Sequence, residues 1–234
     1  GVIPVLVRLE YSVGPEVRFL SHLDYLRLFA RALRRAGLPV AYSQGFNPHP
    51  KLSFGPPLPV GVTSDAEYLD LELAAPVPLP ELVRRLGQAL PQGMEVKDAR
   101  EIQGKPPALM TVIQRARYRV TAPWGGTGEP AALAEAVAGF LARSGIVVTR
   151  RTKEGERPKD IRPGIFHLRA EPEGQAVVFT MDLQIGNRGA VRPEEVVQAL
   201  RDLEGVPVGE PLKIHRQGLF AVQDGELCTP LEVL

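Results

Sequence analysis

The chain opens with a segment in which apolar and polar side chains alternate. Residues 5–12 (VLVRLEYS) place Val5, Val7, Leu9 and Tyr11 on one face and mainly polar side chains on the other. A period of two residues is typical of a β-strand with one buried face. The pattern therefore predicts a first strand.

A helix is predicted after this strand. Ser21 and Asp24 have the spacing of a capping box, in which each side chain binds the backbone N–H of the other residue. Gly37 and Pro39 mark its end, because glycine accepts the left-handed conformation that closes many helices and proline prevents resumption. We expect a helix to about residue 36, with one buried stripe at three- and four-residue spacing, formed by Leu23, Leu26, Ala30 and Leu33.

The later patterns complete the order β-α-β-β-α-β twice. In the first half, strands are predicted at 51–62, 67–73 and 94–102 and a helix at 80–90. In the second half, strands are predicted at 117–122, 146–153, 165–170, 176–185 and 212–222, helices at 130–144 and 193–203, and one extra strand is allowed between 161 and 170. This order predicts an α+β fold of two tandem ferredoxin-like domains with antiparallel sheets.

The boundary between the halves is predicted in a segment rich in proline and glycine. Residues 103–114 (QGKPPALMTVIQ) separate the two repeats of the pattern. We therefore expect a first domain at 1–104, a linker at 105–114 and a second domain at 115–234.

The composition is that of an ordinary globular protein, with 44% apolar and 24% charged residues. No apolar run approaches the roughly 20 residues of a membrane span, and no secretory leader opens the chain, so we expect a cytoplasmic protein without membrane contact. Cys228 is the only cysteine, which excludes a disulfide within the chain. The four histidines are never closer than 27 residues, and no P-loop or dinucleotide fingerprint is present, so we expect this chain to bind no metal and no cofactor of its own.

The net charge of +1 is unevenly distributed. Residues 1–60 carry seven Lys or Arg against three acids, whereas residues 170–234 carry five against eleven. Basic segments of this kind favour a surface that binds a polyanion.

The strongest basic pattern lies on the first predicted helix. Arg27, Arg31, Arg34 and Arg35 follow a spacing of three and four residues and therefore share one side of it. Such a row can hold successive phosphates of a nucleic acid. The alternative is a solvated helix surface with no ligand.

The loop after this helix is a second candidate site. Its prolines, Pro48 and Pro50, restrict the preceding residues to extended backbone, which lowers the entropy lost when a ligand binds. The side chains that could contact a ligand are Ser43, Gln44, Phe46, Asn47, His49 and Lys51. The alternative is a surface turn whose prolines only restrict the unfolded chain.

Two weaker candidates complete the set. His22 and His49 could act as a general acid and base in RNA cleavage, although nothing in their spacing requires them to meet. Arg162 lies in a basic excursion of the second half and could contact RNA, or be solvated.

The segment FLSHLD…RALRRAGLPVAYSQGFNPHPKLSFGPPLPVGVTSDAEYLDLEL resembles the signature of a family of bacterial proteins, the radical SAM-linked family or domain of unknown function 2344. The match is close over residues 7–73, and KDIRP at 159–163 resembles a later family stretch. The resemblance implies an accessory protein of a B12-binding-type radical SAM enzyme. That partner would carry the iron–sulfur cluster and S-adenosylmethionine.

Three hypotheses follow. The first is a partner of a radical SAM enzyme that binds or presents RNA, such as tRNA or rRNA, for modification or maturation, and is not itself catalytic. The second is a metal-independent endoribonuclease that uses His22 or His49. The third is a protein-docking module without nucleic-acid contact.

Overall fold

The computed structural model describes residues 4–126 and 129–233. The chain has a mixed α+β fold, and every strand pair given below is antiparallel. Contacts divide the chain into two units, one of Gly1–Gln114 with Arg216–Leu234 and one of Arg115–His215. The first unit thus includes the end of the chain, which no sequence pattern indicates. Within the described residues, no helix is long and apolar enough to cross a membrane.

The first unit combines a sheet with helices. The strands are β1 (Val5–Val13), β2 (Leu52–Phe54), β3 (Thr63–Leu73), β4 (Met94–Ile102), β10 (Lys213–Gln223, from Arg216 onward) and β11 (Glu226–Cys228). The helices are α1 (His22–Arg35), α2 (Leu79–Ala89) and α3 (Leu109–Val112). β1 lies between β4 and β3, and β2 pairs with the other side of β3, which gives the order β4-β1-β3-β2. α1 and α2 contact each other.

The second unit also combines a sheet with helices. The strands are β5 (Arg115–Pro123), β6 (Val147–Thr152), β7 (Gly155–Asp160), β8 (Ile165–Glu173) and β9 (Ala176–Gln184), and the helices are α4 (Pro130–Leu141) and α5 (Pro193–Glu204). β9 lies between β5 and β8, whereas β6 and β7 form a separate hairpin. The strand predicted at 146–153 therefore pairs with a strand that the sequence analysis did not predict.

The strand predicted at 51–62 is much shorter than expected. It is reduced to β2, because the prolines at 56, 57 and 59 cannot donate backbone hydrogen bonds to a neighbouring strand.

The buried stripe of α1 shares Leu33 with the predicted one and otherwise differs from it. Leu23 is 51% exposed, whereas Tyr25, Phe29, Ala32 and Leu33 are buried. The ring of Phe29 meets that of Tyr11 on β1 edge to face at 4.9 Å. The helix is rotated because this orientation buries two large aromatic side chains, each of which removes more apolar surface from water than a leucine does.

The far face of β1 is also covered. Arg8 is fully buried, and its guanidinium forms a two-point ion pair with Asp70 on β3 at 2.8 and 3.0 Å. The same side chain donates to the backbone carbonyls of Pro230 (2.9 Å) and Val233 (3.3 Å). The end of the chain therefore lies over a face of the sheet whose polar pattern suggested exposure to solvent.

A second buried ion pair attaches the returning chain to the core. Arg216 on β10 is fully buried and donates to both carboxylate oxygens of Glu67 on β3, at 2.9 and 2.6 Å. It also donates to the carbonyl of Pro56 at 3.0 Å, and Ser64 donates to Glu67 at 2.6 Å. Each charged group in this cluster therefore has hydrogen-bonding partners, as burial requires.

We expect Glu67→Gln to destabilise the protein by about 3–5 kcal/mol, because it leaves the buried Arg216 guanidinium without its counter-charge. Urea unfolding at neutral pH measures the effect. The matched control is Glu81→Gln, which breaks the exposed pair with Arg84 and should change the free energy of unfolding by less than about 1 kcal/mol. Equal effects of the two substitutions would contradict the assigned role of the Arg216–Glu67 pair.

Candidate nucleic-acid interface

A row of arginine side chains runs along the solvent side of α1. All four predicted members, Arg27, Arg31, Arg34 and Arg35, are exposed. Among the residues that the structure describes, none of the four guanidinium groups has a hydrogen-bond or ion-pair partner. The row therefore presents four cations without a hydrogen-bonded or ion-paired partner in the described part of the chain, each with donors suited to phosphate. The charge of Asp24 acts on Arg27 and Arg31 only from a longer distance.

Other arginines of the first unit are committed to protein groups. Arg84 pairs with Glu81, Arg100 with Asp98, and Arg85 with backbone carbonyls of the α1 terminus. The row on α1 thus differs from an average basic surface in being free of internal partners.

The capping box fixes the beginning of α1. The Ser21 hydroxyl accepts from the Asp24 N–H at 3.2 Å, and the Asp24 carboxylate accepts from the Ser21 N–H at 2.9 Å. The hydrogen bond from the Ser21 backbone, followed by that from its hydroxyl, lowers the pKa of Asp24, with smaller contributions from Arg27 and Arg31. Asp24 is therefore charged at neutral pH and stabilises the positive end of the helix dipole.

The end of α1 is fixed by α2. Arg85 donates to the carbonyl of Ala36 at 3.1 and 2.8 Å and to that of Gly37 at 2.6 Å. Gly37 has a φ of +64°, the left-handed conformation expected after a helix. Both ends of the arginine row are thus held in place, and the chain leaves α1 in a defined direction.

The predicted loop is a narrow hairpin anchored on β3. Three backbone hydrogen bonds of 2.9 Å form its stem. The N–H groups of Ala41, Lys51 and Ser43 donate to the backbone carbonyls of Glu72, Ala41 and His49, respectively. Because these bonds continue from the edge of the sheet toward the loop, the tip at 44–48 is presented on an ordered stem.

Side chains close the stem just below the tip. The Ser43 hydroxyl lies 3.1 Å from Nδ1 of His49 and accepts from the His49 backbone N–H at 3.2 Å. Gly45 has a φ of +122°, which favours glycine, and the chain reverses there. Phe46 follows at the tip with 104% of its reference area exposed, so its ring contacts solvent on both faces. An exposed aromatic ring on an ordered stem is suited to stacking on a base.

The remaining loop residues are polar and accessible. The side chains of Gln44 and Asn47 are exposed and bond to no other residue within the described part of the chain. Lys51 lies at the base of the stem, with its ammonium 3.6 Å from Glu72. The loop therefore offers amide groups near its tip and a partly neutralised cation at its base.

His22 and His49 lie in different surroundings. The His22 ring meets Phe54 of β2 edge to face at 5.5 Å, whereas His49 belongs to the stem of the loop. In the part of the chain that the structure describes, no hydrogen bond or ring contact joins the two histidines. This arrangement gives no support to a catalytic pair.

His22 borders a small cavity at the beginning of α1. The space of about 10 Å³ is lined by Tyr11, Tyr25 and Glu67 among others, and is comparable to the volume that one water molecule requires. Burial, followed by the charge of Glu67, raises the pKa of Tyr25 to about 12. The same two causes raise the pKa of Tyr11. Both phenols are therefore neutral at physiological pH, and the cavity is too small for a substrate.

Arg162 in the second unit is committed to the backbone. Its guanidinium donates to the carbonyls of Leu141 (3.0 Å) and Ile165 (2.8 Å). These bonds join the end of α4 to the beginning of β8. Arg162 thus has a structural role in this unit.

The sequence analysis missed an apolar patch beside the arginine row. Phe19 and Leu23 are exposed, and the guanidinium of Arg18 lies 4.3 Å from the Phe19 ring centroid. The N–H of Gly61 donates to the carbonyl of Arg18 at 2.7 Å and brings the exposed Val60 to the same region. The sequence analysis placed Leu23 in the buried stripe of the helix and did not consider Phe19, so it did not indicate this patch.

These observations define a class, a mixed α+β protein with an unpaired cationic helix face and an exposed aromatic loop. The chain belongs to the family described as "Uncharacterized protein conserved in bacteria (DUF2344)", which matches residues 7–193. The search of curated proteins finds no match.

Solved structures show similarity in fold. A chain of the Cbf5–Nop10–Gar1 complex is 13% identical with a TM-score of 0.51, over 92% of this chain and 48% of that one. A chain of an H/ACA RNP bound to a substrate RNA containing 2'-deoxyuridine is 11% identical with a TM-score of 0.48, over 94% and 47%. The present chain thus spans about half the length of each of these chains.

Proposed function

We propose that this protein binds RNA through α1 and the loop at 42–51. The observation that carries the proposal is the row of four exposed arginines without internal partners. A phosphate chain can replace solvent around these groups without breaking an existing ion pair, and it gains entropy by releasing counterions. Phe46 would add stacking on an unpaired base, which favours a single-stranded or loop region over a duplex.

We also propose that each unit is a variant of the ferredoxin-like fold. In the first unit, the strands joined by α1 (β1 and β2) lie on either side of β3, and those joined by α2 (β3 and β4) lie on either side of β1. This is the split β-α-β arrangement. The second unit supports the same interpretation if the β6–β7 hairpin is an insertion, because β5 and β8 lie on either side of β9.

The sequence resemblance supplies a proposed partner. We propose that the protein acts in the cytoplasm beside a B12-binding-type radical SAM enzyme that carries its own iron–sulfur cluster and S-adenosylmethionine. In this complex, the present chain would hold tRNA or rRNA, and the enzyme would supply the chemistry.

The RNA proposal predicts that Arg31→Glu with Arg35→Glu weakens RNA binding and flattens its salt dependence. Loss of two single-strand phosphate contacts should reduce the slope of log Kd against log salt by about 1 to 1.5. Filter binding of an unpaired oligouridylate and of bulk tRNA at several salt concentrations measures this. The control, Arg84→Glu with Arg100→Glu, makes the same change in net charge at paired arginines and should have a much smaller effect. Equal slopes for the two double variants would refute the assignment to α1.

Phe46→Ala should weaken binding of the unpaired oligonucleotide by about 1–3 kcal/mol, the usual contribution of one stacked base. The ring makes no contact that stabilises the fold, so the free energy of unfolding should not change. Phe46→Trp is the matched control, since it keeps a stacking surface. It should retain binding, and the fluorescence of the introduced indole should be quenched by the RNA. Stacking at this position would be excluded if Phe46→Ala bound RNA normally. It would also be excluded if RNA left the fluorescence of Phe46→Trp unchanged.

The proposed partner should co-purify with the tagged protein after nuclease treatment. Arg31→Glu with Arg35→Glu should leave this association intact, because the arginine row is assigned to RNA. Recovery of RNA without any radical SAM protein would support RNA binding and reject the partner. Recovery of the enzyme by a protein that binds no RNA would instead favour the docking-module hypothesis.

A further inference from the structure

The second unit has a groove between the β6–β7 hairpin and α5. Its volume is about 540 Å³, and it is lined on one side by Val147, Val148 and Thr149 of β6. Polar residues of α5 and Glu210 line the other side. Two exposed apolar side chains, Val147 and Leu203, lie in it.

The edge of β6 that does not face β7 has unpaired backbone groups. The Ile161 N–H donates to the Ile146 carbonyl at 2.8 Å, so these two residues form a hydrogen-bonded pair at the base of the hairpin. In an antiparallel ladder such pairs alternate with pairs whose backbone groups point outward. The register places Val147 and Thr149 in the outward class. Within the residues described, no group bonds to the outward N–H and C=O of either residue.

The two edges of the hairpin differ in their protection. Pro158 lies directly opposite Thr149 on β7, so the outward N–H at that position is absent from the β7 edge. Proline and charged side chains are the usual means by which proteins prevent strand addition at an edge. β6 has no proline, and its first three residues, Val147–Thr149, are β-branched and uncharged, whereas Arg150 and Arg151 follow them. The Val147–Thr149 part of this edge is therefore the one that can accept another strand.

The charge of the groove restricts what can bind there. Glu194, Glu195, Asp202 and Glu210 line it, against the single cation Arg201. Glu195 is paired with Arg150, and Arg201 is held by Glu210 and by the carbonyls of Val208 and Gly209. Glu194 and Asp202 remain exposed without a cationic partner among the described residues. A phosphate chain would be repelled, whereas lysine or arginine side chains would be attracted.

We propose that this groove binds an extended, basic segment of a partner protein, which adds as a strand to the free edge of β6. Backbone hydrogen bonds to Val147 and Thr149 supply the register. Lysine or arginine side chains of the segment lie against Glu194 and Asp202. The site is independent of the proposed RNA surface, since it uses different residues and attracts the opposite charge.

The probe for this site is a peptide of about eight residues in which lysine and valine alternate, the length of an ordinary strand. Titration into the full-length protein, followed by the backbone amide signals in NMR, gives Kd and the location of binding. Binding should shift the signals of β6 and α5. A glutamate–valine peptide of equal length should bind at least tenfold more weakly.

Thr149→Pro is the decisive variant. It removes the outward N–H of β6 without breaking a hydrogen bond to β7, and Val148 already has the extended backbone that a following proline requires. We expect binding of the basic peptide to weaken about tenfold or more, whereas Thr149→Val should bind normally. Glu194→Lys with Asp202→Lys provides a second variant that leaves the strand intact, and it should weaken binding to a similar extent.

Several outcomes would overturn the proposal. They are no binding of the basic peptide, equal binding of the acidic one, or binding that Thr149→Pro leaves unchanged. A dimer of the wild-type protein that Thr149→Pro dissociates would instead assign the edge to a second copy of this chain. If Thr149→Pro loses both peptide binding and the NMR spectrum of the folded protein, the test rests on Glu194→Lys with Asp202→Lys. Unchanged binding by that variant would then overturn the proposal.

Discussion

The ion pair between Arg216 and Glu67 is the interaction on which the first unit depends. Two charges removed from water are stable only when each finds further partners, and here Ser64 and the carbonyl of Pro56 supply them. The pair links β10 to β3 across 149 positions of sequence. Because the other buried pair, Arg8 with Asp70, also holds the segment at 230–233, the first unit is completed only when residues far apart in sequence come together.

The beginning of α1 lies beside this cluster. Glu67 borders the same small cavity as Tyr25, whose hydroxyl donates to Val17 just before α1. The capping box then begins the helix, and Arg85 holds its end. A helix fixed at both ends loses little further backbone entropy when a ligand binds, so the backbone positions of its arginines are preorganised. Free arginines on such a helix are therefore more informative about binding than the same number on a mobile tail.

Features that depend on residues close together in sequence were predicted better than features that depend on residues far apart. The capping box and the glycine after α1 appear as expected, because both depend on residues within one helical turn. The prediction that Leu23 is buried was wrong. The rotation of the helix depends on Tyr11 of β1 and Phe54 of β2, whose rings meet that of Phe29. The burial of Arg8 was also unpredictable from alternation, because Asp70 lies 62 residues away and the carbonyls of Pro230 and Val233 lie more than 200 residues away. The exposure of the arginine row was predicted correctly, but its lack of internal partners required knowledge of which carboxylates were already paired.

The net charge of +1 conceals two surfaces of opposite sign. α1 presents cations without partners, whereas the groove along β6 presents Glu194 and Asp202. A polyanion would be attracted to the first surface and repelled by the second, and a basic protein segment would show the reverse preference. Charge complementarity affects encounter rates and the rejection of wrong partners more than it affects affinity. Two surfaces of opposite charge would therefore keep an RNA and a basic protein segment from competing for one site. An evenly mixed surface would not separate the two ligands in this way.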